Sequence, residues 1–146
     1  MDLFTNRVSP GVDEAAKVKA EFLDALIRGK AASEIISAPE AVAILGTMLG
    51  GYNVAPLIEA LHHNDGAVAS EASEQLKNTL LIYDSFGQVE ELMKQGNSHA
   101  RAVIESWAAA EWFTNRAPLP EEFPCTVFKV PGETNTDDLS PASHAW

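Results

Sequence analysis

The chain of 146 residues is 46% hydrophobic and 21% charged, the proportions of a folded protein, which excludes wholesale disorder. Its 10 Lys and Arg against 21 Asp and Glu leave a formal charge of -11, which opposes non-specific binding to phosphate backbones. The one cysteine, Cys125, excludes an internal disulfide framework and an all-cysteine metal or iron–sulfur site within a single chain, and the short apolar runs exclude a membrane-spanning helix.

Met1-Asp2-Leu3 lacks the basic and apolar regions of a secretory signal, so the cytoplasm is the expected compartment. The first helix is expected over residues 12–28, with Val18, Phe22, Ala25 and Leu26 as its apolar stripe. Asp13 and Glu14 favour its N-terminal dipole, and Gly29 is placed to end it. Ser37-Ala38-Pro39-Glu40 reads as a capping box that starts a second helix carrying Val42, Ile44, Leu45 and Met48, with Gly50-Gly51 as its stop. A short third helix follows Asn53 and buries Leu57, Ile58 and Leu61. Asn64-Asp65-Gly66 then reads as a turn.

A fourth helix is expected over residues 67–83, with Ala69, Ala72, Leu76 and Leu80 inward. A fifth, over residues 86–94, closes at Gly96. Asn97 caps a sixth whose stripe is Ala100, Val103, Ile104, Trp107 and Ala108. About six amphipathic helices joined by short turns predict an all-α solenoid of three stacked hairpins rather than a four-helix bundle. The hairpins share no tandem motif. The tetrapeptide Phe4-Thr5-Asn6-Arg7, repeated at Phe113-Thr114-Asn115-Arg116, reads as coincidence or a shared helix exit.

The chain changes character near residue 116. Pro118, Pro120, Pro124 and Pro131 follow, around a β-branched and aromatic run over residues 125–130 that predicts a strand ended by Pro131-Gly132. One strand has no partner to complete its ladder. The segment therefore reads as an incomplete start of another domain.

Tests for chemistry are mostly negative. His62 and His63 are neighbours, which a helix points about 100° apart, so they read as a polar helix end rather than a metal pair. No nucleophile elbow or phosphate-binding loop is present. Glu90-Glu91 and Glu121-Glu122 read as solvated faces, and Cys125, inside the expected strand, as a buried structural thiol. Trp107, Trp112 and Phe113 read as core. Trp112, off the main stripe, is the best candidate for a contact with another helix or domain. The loop residues Thr134, Asn135, Thr136, Asp137, Asp138 and Ser140 bring hydroxyls, an amide and carboxylates to a strand end, where such groups can hydrogen-bond a polar ligand.

Thr126-Val127-Phe128-Lys129-Val130 with Gly132-Glu133-Thr134-Asn135-Thr136-Asp137-Asp138-Leu139-Ser140-Pro141-Ala142 resembles the start of the swivel domain of the bacterial aconitase B family. Thr5-Asn6-Arg7-Val8, Leu45-Gly46-Thr47-Met48, Gly50-Gly51-Tyr52-Asn53 and Ala110-Glu111-Trp112-Phe113 resemble its N-terminal helical domain, and the likeness runs in order along essentially the whole chain. It implies a HEAT-like helical domain over residues 1–116, a linker over 117–122 and the beginning of a swivel domain over 123–146. The chain would then be truncated at both ends. The resemblance implies dehydration and rehydration of citrate through cis-aconitate as the parent reaction, and hydration towards 2-methylisocitrate as well. The family's [4Fe–4S] cluster is held by cysteines of a C-terminal region outside this chain, so the resemblance implies no cofactor and no catalytic or metal-ligating residue here.

What remains by resemblance is a substrate-cleft loop of Thr134, Asn135, Thr136, Asp137, Asp138 and Ser140. The implied partners are the remaining aconitase domains and a second copy through the helical domain. RNA binding, associated with the family, is disfavoured for this piece by its charge. A different class of function fits the same residues: a stand-alone helical protein–protein interaction module without enzyme activity.

Overall fold

Apolar residues and alanines at helical spacing, interrupted by a few strong capping residues, build a chain of short helices. The computed structural model describes residues 15–48, 51–79, 83–115, 117–127, 129, 132 and 135. Among them are seven helices: α1 Ala16–Ile27, α2 Ala38–Thr47, α3 Val54–Ala60, α4 Gly66–Asn78, α5 Tyr83–Lys94, α6 Ser98–Ala108 and the short α7 Glu111–Thr114. This is the all-α architecture that the periodicity predicts.

The ends of these helices have identifiable causes. Gly29 (φ +66°) and Gly96 (φ +92°) take the left-handed conformation that closes α1 and α5. In each, two backbone N–H groups past the end reach back to the last turn: Gly29 to Leu26 and Lys30 to Ala25 after α1, Gly96 to Met93 and Asn97 to Leu92 after α5. This is the Schellman arrangement. Ser37 caps α2 in a capping box, its N–H and hydroxyl donating to Glu40 Oε2 at 2.8 and 2.6 Å. Asp65 caps α4 by accepting from the Ala67 N–H at 2.9 Å, and Asn97 caps α6 by accepting from Ala100 at 2.9 Å.

Packing follows a two-layer rule. α1 lies on α2, α3 on α4, and α5 on α6, forming three hairpins. α1, α3 and α5 are neighbours in one layer, and α2, α4 and α6 in the other. That is solenoid packing, in which each hairpin touches the next. One apolar core runs through all three hairpins, with Leu23, Leu45, Leu57, Leu61, Leu76, Val42, Val68, Val89 and Val103 fully buried. Each such side chain contributes about 1.5–3 kcal/mol on leaving water.

Four expectations about the helices need correction. The buried face of α1 is Ala16, Ala20, Leu23, Leu26 and Ile27, whereas Val18 is 64% and Phe22 39% exposed. The small alanines let the neighbouring helix approach, and that close contact outweighs the greater hydrophobicity of the opposite stripe. α2 ends at Thr47, ahead of the glycine pair, because Met48 is already extended (ψ 150°). The expected fourth helix is interrupted: Thr79 is extended (ψ 101°), and Tyr83 begins α5 instead of ending α4. Ala108, expected on the inner stripe of α6, is exposed. Leu80 and residues 12–14 lie outside the described residues.

The chain divides into two compact units, residues 1–115 and 116–146. In the second, residues 117–127, 129, 132 and 135 form neither helix nor strand, so the expected strand is not made among the described residues of the 125–130 run. A lone strand has nothing to complete its ladder, and prolines at 118, 120 and 124 remove backbone donors. Leu119 (90%), Phe123 (67%) and Val127 (89%) are exposed, and so is Cys125, which corrects its expected burial. No helix among the described residues is long and apolar enough to cross a membrane.

Candidate functional site

Of the loop residues singled out in the sequence, Asn135 alone is described, exposed and outside any helix or strand. Thr134, Thr136, Asp137, Asp138 and Ser140 lie outside the described residues. Trp112 is half-buried on α7 and meets Phe113, which is exposed rather than core as expected, edge to face, ring centres 5.7 Å apart and planes at 61°. Trp107 is a core-side residue. Its indole N–H donates to the Leu76 carbonyl at 2.9 Å, tying α6 to the end of α4, and its ring stacks on Phe86 at 6.1 Å.

Polar side chains gather in a cleft of about 220 Å³ where the ends of α1 and α3 meet. Arg28, just past α1, donates from Nε to both Asp24 carboxylate oxygens at 2.9 and 2.7 Å and pairs through Nη2 with Glu59 of α3. His63, just past α3, has its Nε2 3.0 Å from the Ile27 carbonyl, and its Nδ1 lies 3.1 Å from the Asp65 N–H. A carbonyl only accepts and an amide N–H only donates, so those two neighbours assign the proton to Nε2. His62 and Asn64 complete the polar rim. The His62–His63 pair thus has a structural part: His63 satisfies a carbonyl orphaned at the end of α1.

Glu59 and His62 are three residues apart on the same helical stretch, and the structure brings both to this cleft. Glu59-Ala60-Leu61-His62 is a Glu-x-x-His spacing, a signal in the sequence that reading the two histidines as a plain polar helix end leaves out. The cleft remains chemically quiet. Its lining has no hydroxyl or thiol to serve as nucleophile, and its arginine is held between two carboxylates. Among the described residues no three His, Cys, Asp or Glu side chains are grouped to hold a metal ion.

The perturbed carboxyl lies elsewhere, in the capping box. Glu40 is held below the ordinary value of 4.5 by the Ser37 hydroxyl and then by the Ser37 N–H, both of which favour its ionised form. That is a helix-start device on an exposed side chain.

The family model described as the aconitate B N-terminal domain matches residues 1–113. The chain belongs to the aconitate hydratase B family. A second model, the aconitate hydratase 2 N-terminus, matches residues 125–146. Aconitate hydratase B of Pseudomonas aeruginosa and that of Escherichia coli are each 56% identical to the chain over all 146 residues. The Synechocystis protein of the same name is 53% identical over 145 residues. The chain spans 17% of the length of each of these aconitate hydratase B relatives.

Proposed function

We propose that this chain serves as the non-catalytic helical N-terminal section of an aconitate hydratase of the B type. The observation that carries this reading is an alignment that covers all 146 residues of the chain at 56% identity yet spans 17% of the relatives' length. The parent reaction is dehydration of citrate to cis-aconitate and rehydration to isocitrate, with 2-methylisocitrate as a further substrate. The solenoid over residues 1–116 flanks the entrance to the active site, residues 117–122 link it onward, and residues 123–146 begin the swivel domain. In the complete enzyme Thr134, Asn135, Thr136, Asp137, Asp138 and Ser140 face the substrate cleft.

A [4Fe–4S] cluster is held by cysteine thiolates. This chain has one cysteine, exposed and far short of a ligand set, so its residues do not fit the cluster. The partners on this reading are the remaining domains of the enzyme and a second copy through the helical domain, in the cytoplasm. The purified chain, taken through iron–sulfur reconstitution and assayed for aconitase, is expected to show no turnover and no cluster absorbance. Either signal from this chain alone overturns the reading. Light scattering across a concentration series tests the second copy: a constant monomer mass removes it.

A further inference from the structure

We draw no further inference here: the strongest candidate, the polar cleft between the ends of α1 and α3, has its arginine, Arg28, already paired with Asp24 and Glu59, and nothing in the structure shows what ligand would occupy it.

Discussion

The side-chain amide of Asn97 donates to the backbone carbonyl of Leu61, 2.8 Å away and 36 residues earlier in the chain. His63 stands in the same relation to Ile27, again 36 residues back. In both cases a polar residue just beyond one helix of the α1–α3–α5 layer satisfies a carbonyl at the end of the helix before it. The repeat that is absent from the residue types is therefore present in the bonding. Asn97 does double duty, because its Oδ1 also caps α6.

Replacing Asn97 tests that linkage. Asn97→Ala removes the cap, worth about 1 kcal/mol, and leaves the Leu61 carbonyl without its donor, worth roughly another 1 kcal/mol. Asn97→Asp keeps the cap acceptor and loses only the donor, so it should fall about midway. Urea denaturation followed by circular dichroism reads both. Equal midpoints for Asn97→Asp and the parent chain would show that the tie to Leu61 contributes nothing.

The capping box at the start of α2 gives a pH signature. Ser37 favours the ionised Glu40 carboxylate in the folded state, so folding lowers the carboxyl's pKa from the ordinary 4.5. The resulting stabilisation is fully present above 4.5 and is lost as pH falls through the lower, folded-state value. Thermal melts of the parent chain and Glu40→Gln should differ at pH 7 and converge at strongly acid pH. A gap that stays constant with pH refutes the assignment.

Gly46 lies where α2 meets α4, and a Cβ built on it falls onto the side chain of Gln75, which is itself bonded to Glu71 at 2.7 Å. Alanine is a better helix former than glycine by about 1 kcal/mol, yet room for its Cβ requires the half-buried Gln75 side chain to swing away and give up its bond to Glu71, a loss of roughly 0.5–1.5 kcal/mol. Gly46→Ala alone should thus leave stability nearly unchanged, the two terms being of similar size. Added to Gln75→Ala, the same change should be stabilising. A double-mutant cycle by chemical denaturation measures the coupling, and additive effects would remove the proposed clash.

Ser106 is 4% exposed and its hydroxyl has no hydrogen-bond partner among the described residues. A buried polar group without a partner destabilises by roughly 1–3 kcal/mol. Ser106→Ala should raise the stability of the chain by about 1 kcal/mol for that reason, with no change in helical content. A lower melting temperature in the variant would mean that the hydroxyl is engaged.

Local signals made much of the fold legible. Ser37 with Glu40 and Asn97 with Ala100 cap helices because each carries its acceptor at the chain position where the first free N–H groups stand, and Asp65, expected only as part of a turn, caps α4 in the same way. The break between Asn78 and Tyr83 has no glycine or proline to announce it, so hydropathy reads through it. On α1 two stripes compete, and Ala16 and Ala20 win by size, a property that only the facing helix can value. The links from Asn97 to Leu61 and from His63 to Ile27 were invisible because different side chains make the same bond to a backbone atom. The cleft was half legible: the Glu59–His62 spacing is in the sequence, but Arg28 reaches Glu59 across 31 residues, which only packing brings about. Around Asn135 the sequence offers composition and a family resemblance, and neither supplies geometry.

Cys125 has a practical consequence. As the chain's single sulfhydryl on an exposed side chain, it is a unique chemical address in the second unit. A maleimide dye attached there labels that unit and leaves the helical hairpins unmarked. Under oxidising conditions, covalent cross-linking through this one thiol stops at pairs of chains, so any larger species on a non-reducing gel must be held together by something other than sulfur.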